Sequence, residues 1–371
     1  MRIAIDARAL EKNMTGIGRY LFDLLNGIPQ IDNKNEYVLF STVALNGIDQ
    51  NFYNNIILKS LNNYKKLFSP FWLNYVLGNY LLYNKFDLFF SPNNLCPLNK
   101  SLKLKKIITI HDVMFKIDKS YYSYYYRNYL NLLLSRAIAE ADKVITISEC
   151  SKIDIMKYYR ISENKIKVIH RAADSKFKPR IIEDKLEQKI RLKYKISGKF
   201  VLYVGLIENR KNILGILKIA DLFIEENIDL KFVLIGKPGY GFNNIKSEIE
   251  KRQKNVIYLN YISDEDLPLL YNLAKIFIFP SLYEGFGLPV LESMQSGIPV
   301  ITSNTSSLPE IVQDFGIMHD PDDIDGFSQS IKSLLRNNIL YSEYCSRSLL
   351  GAERYTQYLL INDHVKLFMD L

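Results

Sequence analysis

Phe279-Pro280-Ser281-Leu282-Tyr283-Glu284-Gly285-Phe286-Gly287-Leu288-Pro289-Val290-Leu291-Glu292 is the stretch from which the fold can be read outward. An apolar strand-like run ends at Pro280, and a loop with two glycines follows. A helix then opens at Leu288 or Pro289, because proline suits the first helical turn, where its missing N–H is no loss. Gly297 reads as the stop of that helix. The pattern sets a helix N-terminus at the carboxyl end of a parallel strand. Free backbone N–H groups and the positive end of the macrodipole make such a place an anion site, suited to a diphosphate. Gly285 and Gly287 let backbone approach a ligand closely. Two carboxylates, Glu284 and Glu292, bracket the turn. Carboxylates repel phosphate, so they suit hydroxyl groups instead, such as those of a sugar or a nucleotide ribose.

Away from this stretch, strand-like runs alternate with helical periodicity. The strands expected in the first half are Ile3–Ile5, Tyr37–Ser41, Leu88–Ser91, Lys106–Ile110 and Lys143–Ser148. In the second half they are Phe200–Val204, Lys231–Ile235, Val256–Leu259, Ile276–Pro280 and Pro299–Thr302. Helices are expected at Gly18–Gly27, Tyr125–Ala139 and Ile213–Glu226. Such alternation implies parallel, doubly wound sheets covered by helices. The charged stretch near 175–198 carries no apolar strand, and a second β-α series restarts at Phe200. The chain therefore divides into domains at about 1–180 and 181–371. Its 371 residues, 48% of them apolar, suffice for two cores.

Composition removes several classes. Met1 leads directly into a strand-like run, with no secretory pattern. The most apolar long window, Phe71 to Phe90, is broken by Asn74, Gly78, Asn79, Asn84, Lys85 and Asp87, so no membrane span is expected. Cys96, Cys150 and Cys345 show no metal-ligand spacing in any pair and are odd in number for a disulfide framework. The four histidines, His111, His170, His319 and His364, show no ligand spacing. Asp320-Pro321-Asp322-Asp323 reads as a turn and helix cap rather than a metal site. A soluble, cytoplasmic protein is the expectation.

Charge is uneven: residues 1–180 hold 27 Lys/Arg against 15 Asp/Glu, while 181–371 hold 21 against 25. A basic first half suggests a polyanionic neighbour. Aromatic residues are not interleaved in the way that stacks on bases, so no nucleic acid is expected. The run Tyr121-Tyr122-Ser123-Tyr124-Tyr125-Tyr126-Arg127 suggests an amphipathic helix of interfacial character, and a peripheral site on an anionic inner membrane face.

The Glu284-x7-Glu292 spacing within Glu-Gly-Phe-Gly-Leu-Pro resembles the signature of retaining GT-B glycosyltransferases of family four, the glycosyl transferases group 1. Other segments agree in order. Tyr203-Val204-Gly205-Leu206-Ile207-Glu208-Asn209-Arg210-Lys211-Asn212 resembles the loop whose arginine and lysine contact the donor diphosphate. Lys211 aligns with that lysine. Many members place an arginine directly after the glycine, where Leu206 stands here, so the adjacent Arg210 is the candidate for the second cation. Thr15-Gly16-Ile17-Gly18-Arg19-Tyr20, after Asp6-Ala7-Arg8, resembles the family's N-terminal glycine loop. Ile108-Thr109-Ile110-His111-Asp112-Val113 resembles its strand-end His-Asp. Val144 to Lys152 looks like the end of the N-terminal domain, with Ser148 as an N-cap. Ser303-Asn304-Thr305-Ser306-Ser307-Leu308-Pro309-Glu310 is similar to a segment of bacterial mannosyltransferases.

The resemblance implies two Rossmann-like domains facing a central cleft, an N-terminal acceptor domain and a C-terminal donor domain, with the last helix packing back on the first. It implies a hexosyltransferase that uses a nucleoside-diphosphate sugar, GDP-mannose or a UDP-hexose, as co-substrate, without metal or other cofactor. His111, Glu284, Lys211 and Arg210 would carry the chemistry. Gly16, Gly18, Gly205, Gly236, Tyr261, Ile262, Gly285, Phe286, Gly287, Leu288, Val290 and Glu292 would line the donor. The acceptor would be a glycan or lipid-linked sugar in surface polysaccharide or glycolipid synthesis. No nucleophile is evident, so retention would proceed by departure and attack on one face, with domain closure excluding water. A GT-B-fold epimerase or phosphorylase is an alternative. An NAD-binding protein is disfavoured, because Leu21 stands where a third glycine belongs.

Overall fold

A computed structural model describes residues 1–11, 16–45, 56–61, 69–118 and 123–371. Thr15, Tyr121 and Tyr122, which belong to motifs read above, lie outside those residues.

The chain forms two compact units, Met1–Arg171 with Gln357–Leu371, and Ala172–Thr356. In the first, strands β1 (Arg2–Asp6), β2 (Glu36–Ser41), β3 (Ile56–Ser60), β4 (Leu88–Ser91), β5 (Lys105–Ile110), β6 (Lys143–Thr146) and β7 (Ile166–Val168) form one sheet, ordered β3-β2-β1-β4-β5-β6-β7. Every pairing is parallel. The central strands β4 and β6 are largely apolar, and all of their residues but Lys143 are buried, as a sheet covered on both faces requires. The order reverses between β1 and β4, and in open α/β sheets ligands sit beyond the carboxyl ends at such a switch.

The second unit repeats the plan. Strands β8 (Phe200–Val204), β9 (Lys231–Ile235), β10 (Val256–Leu259), β11 (Ile276–Phe279), β12 (Val300–Ser303) and β13 (Ile317–His319) are ordered β10-β9-β8-β11-β12-β13, all parallel. Its switch point falls between β8 and β11. The helix Ile213–Glu225 buries Ile216, Leu217, Ile219, Ala220 and Phe223 against the sheet.

The first unit ends at Arg171, ahead of the expected 180, because the next residues pack on the second. Phe177 meets Tyr271 edge-on at 5.3 Å. The Arg180 N–H donates to Asn272 Oδ1 at 2.7 Å, and the Asn272 amide donates to the Lys178 carbonyl at 3.1 Å. The charged stretch that follows is the helix Asp184–Tyr194. The helix Gln357–Met369 belongs to the first unit, where it lies on Gly16–Ile31. Gly27 makes that contact possible, since a Cβ there would fall 1.8 Å from Ile361 Cδ1.

Two caps are as read. Ser148 Oγ accepts from the Ser151 N–H at 3.0 Å, and Asp323 Oδ1 accepts from Gly326 at 2.9 Å. The tyrosine run differs from expectation. The helix Tyr124–Glu140 buries only Leu134, Ala137 and Ile138, and its consecutive Tyr124, Tyr125 and Tyr126 are all exposed. Consecutive positions point to different sides of a helix, so these rings do not form one apolar face. No helix among the described residues is long and apolar enough to cross a membrane.

Candidate functional site

At the second unit's switch point, β8 and β9 both run into glycine. Gly205 (φ +157°) donates to the Ile235 carbonyl at 2.9 Å, and Gly236 (φ +156°) donates to Leu259 at 2.9 Å. A Cβ on Gly236 would sit 1.7 Å from the Gly205 oxygen, so only glycine fits. The turn after Gly205 then zips onto the loop after β9. Ile207 N–H donates to Lys237 at 2.9 Å, Gly239 to Ile207 at 3.0 Å, and Asn209 to Tyr240 at 3.0 Å. A single 3₁₀ turn, Asn209–Lys211, ends at Asn212 in the left-handed region, whose side chain caps the helix Ile213–Glu225 through Gly215 N–H at 3.2 Å.

That turn presents Arg210 and Lys211 to the loop after β11, and backbone ties the two loops: Leu282 N–H donates to the Arg210 carbonyl at 2.9 Å. Lys211 Nζ donates to Glu284 Oε1 and lies 5.1 Å from the Phe279 ring centroid. Arg210 Nη1 donates to the Tyr283 carbonyl at 2.6 Å and to Glu284 Oε2 at 3.3 Å; its Nη2 donates to Glu208 Oε1 at 2.6 Å. Ser281 Oγ donates to Glu284 Oε1 at 2.7 Å. Lys211, Glu208 and Glu284 are only 7–8% exposed. Burial works to raise the Glu284 pKa, but Lys211, Arg210 and Ser281 outweigh it and hold the carboxyl below its ordinary value. Burial, with Arg210 acting the same way, lowers the Lys211 ammonium against the pull of Glu284.

The glycine turn 285–287 is fastened from the segment after β12. Glu284 N–H donates to Ser306 Oγ at 2.8 Å, and Ser307 Oγ donates to the carbonyls of Glu284 (3.0 Å) and Phe286 (2.6 Å). Gly287 (φ +117°) starts the helix Leu288–Gln295, which buries Val290. Glu292 lies within that helix and accepts from Tyr271 OH at 2.9 Å. Tyr261 and Ile262 follow β10, the tyrosine exposed and the isoleucine buried. Thus Arg210, Lys211 and Glu284 share one network. Gly205, Gly236, Tyr261, Ile262 and the 285–292 segment lie at the carboxyl ends of the same sheet.

Gly16, Gly18 and His111 belong to the first unit. Gly16 and Gly18 open the helix Gly16–Ile31. Arg171 Nη1 donates to the Gly16 carbonyl at 3.1 Å, and its guanidinium lies 5.6 Å from the Tyr20 ring. His111, just past β5, packs edge-on against that ring at 5.2 Å. Its Nε2 lies 2.9 Å from the Pro92 carbonyl. A carbonyl only accepts, so Nε2 carries the proton and Nδ1 is the ring's acceptor. Burial and then Arg171 push the His111 pKa down to about 4, which keeps the imidazole neutral. Sequence reasoning missed Tyr271 and the Tyr20–His364 pair, whose partners lie far along the chain, and gave no role to Glu208 and Ser281, which stand within the motif stretches quoted above.

Residues 184–348 match the family Glycosyl transferases group 1, and residues 14–177 match Glycosyltransferase Family 4. This chain belongs to the family-four-like GT-B glycosyltransferases. It is 29% identical to the O-antigen chain mannosyltransferase B of Escherichia coli, over 96% of each chain. It is 24% identical to the O-antigen chain mannosyltransferase RfbU of Salmonella typhimurium, over 89% of this chain and 90% of that one. Among solved structures, a glycosyltransferase from Rickettsia africae superposes with a TM-score of 0.75 at 18% identity, covering 100% of this chain and 98% of that one. Anabaena Alr3699/HepE, solved with UDP and glucose, gives 0.75 at 15%, covering 100% and 99%. At those identities the likeness speaks for the GT-B fold. Family membership and the mannosyltransferase relatives together make the enzyme a hexosyltransferase.

Proposed function

We propose that this glycosyltransferase moves mannose from GDP-mannose to a hydroxyl of a growing surface polysaccharide, with retention at the anomeric carbon. The observation that carries the reading is the buried Lys211–Glu284–Arg210 network at the β8/β11 switch point, beside a helix N-terminus. The likeness to O-antigen mannosyltransferases supports the sugar and the pathway class.

Lys211 and Arg210 face the diphosphate, whose two negative phosphates outcompete the single carboxylate of Glu284 for them. Glu284, released from its cations, accepts hydrogen bonds from hydroxyls of the transferred sugar, and Glu292 from the ribose. Gly205 and Gly236 leave room for backbone to touch phosphate, Gly285, Phe286, Gly287 and Leu288 line it from the other side, and Tyr261 with Ile262 flanks the base. His111, neutral, keeps Nδ1 as a hydrogen-bond acceptor within the first unit. In the transfer, the bond from the anomeric carbon to the phosphate oxygen breaks as the acceptor oxygen arrives on the same face. The acceptor's proton passes to the departing phosphate oxygen. The two cations and the helix N-terminus stabilise the charge that develops there. No step in this scheme calls for a metal.

The test is calorimetric titration with GDP and UDP, followed by transfer assays with GDP-mannose and UDP-glucose and NMR of the product's anomeric proton. Binding of GDP over UDP and an α-linked product are expected. Preference for UDP, or inversion, would overturn the donor or the stereochemistry.

A further inference from the structure

Arg210 is held by two carboxylates, and the roles above use only one of them. Glu284 is shared: it also takes Lys211 and the Ser281 hydroxyl. Glu208 binds Arg210 Nη2 at 2.6 Å from the opposite side, with its side chain 10% exposed. Glu208 is itself gripped. It stands in extended backbone (φ −148°, ψ 160°) at the start of the 3₁₀ turn, between Ile207 and Asn209, both bonded to the loop after β9. Gly239 of that loop presses directly on it: a Cβ there would lie 2.7 Å from both Glu208 Cβ and Oε2.

We propose that Glu208 is a positioning residue that aims the Arg210 guanidinium, and that the Gly239 contact fixes its own orientation. The inference rests on the reading that Arg210 grips the donor diphosphate. Arginine is a rigid fork on a flexible stem, so a carboxylate on one of its two terminal nitrogens determines where the other points. When a diphosphate draws Glu284 away from the cations, Glu208 keeps the guanidinium in place, and the arginine need not be ordered at the moment of binding. A carboxylate close to a diphosphate also repels it. Positioning and repulsion therefore give opposite signs when Glu208 is removed.

The experiment measures dissociation constants for GDP and UDP by calorimetry, with unfolding temperatures, for the wild type, Glu208→Ala, Glu208→Gln, Arg210→Ala, the Glu208→Ala/Arg210→Ala double variant and Gly239→Ala. Glu208→Ala should weaken the nucleotide that the wild type binds by about tenfold, the usual worth of a charge-assisted hydrogen bond. Glu208→Gln keeps an acceptor oxygen and should stay within about threefold. In the Arg210→Ala background, Glu208→Ala should change nothing further, the non-additivity of a pair that acts as one. Gly239→Ala should follow Glu208→Ala and covers the case in which that variant fails to fold. Binding unchanged or tightened by Glu208→Ala, or penalties that multiply with Arg210→Ala, would overturn the inference alone. A folded wild type that binds neither nucleotide would overturn the donor-site reading and this inference together.

Discussion

The two sheets share one order over six strands, β7 being an added edge in the first, yet the groups gathered around their key residues differ in kind. Around Lys211 the structure places Arg210, Glu208 and Glu284, a buried network of opposite charges. Around His111 it places Tyr20 and, beyond Tyr20, His364, rings whose imidazoles burial keeps neutral. One plan thus supports a site built to exchange one anion for another and a site of neutral rings with a single cation, Arg171, beside them. Loops after the strands, not the sheet, decide which.

The sharpest break of this contrast is Lys211→Ala. It leaves Glu284 buried beside Arg210 alone, and turnover should fall by about 100- to 1000-fold, the scale of losing one preorganised charge-stabilising group. Steady-state assays alongside GDP titration would check it. Gly236→Ala attacks the backbone under the network. Its Cβ would meet the Gly205 carbonyl, so a destabilisation on the order of 3 kcal/mol is expected, read by thermal or denaturant unfolding.

On the neutral side, the largest effect is a pH dependence. His364 is fully buried: Tyr20 OH lies 2.5 Å from its Nε2, its Nδ1 is 2.7 Å from the Leu360 carbonyl, and Phe90 and Phe368 pack against the ring. Burial pushes its pKa from 6.5 to about 4, with the Leu360 carbonyl opposing. Between these values the unfolded chain binds the extra proton, so stability is intact above pH 6.5 and is lost as pH falls toward 4. The loss amounts to roughly 3 kcal/mol. Unfolding temperatures across that range should lose part of their slope in His364→Gln. The smallest effect belongs to Glu292→Gln, which keeps an acceptor for Tyr271 and should weaken nucleotide binding by only about threefold, within the range of a neutral hydrogen bond.

Much of this was legible beforehand. Long apolar runs such as Phe200–Val204 and the Gly-Phe-Gly-Leu-Pro frame announce a buried strand, a glycine turn and a helix start, because those demands are local. Three strands were not read: Ile56–Ser60 is an edge strand with Lys59 and Ser60 in it, and Ile166–Val168 and Ile317–His319 are three residues long. Such pieces become strands only because a neighbour offers a ladder. The same reasoning explains the site. Lys211 and Glu284 follow from motifs, but Tyr271 reaches Glu292 across 21 residues and Tyr20 reaches His364 across 344. Pairings of that span leave no local trace. Glu208 was visible as a letter two places before Arg210, but glycine spacing gave it no role.

The helix Gln357–Met369 gives the first unit a piece made after the whole of the second. During synthesis, the sheet from β1 to β7 must therefore wait with Gly27, Tyr20 and Phe90 uncovered until some 185 intervening residues, Ala172–Thr356, have emerged. The unit that is translated first is therefore the last to be finished.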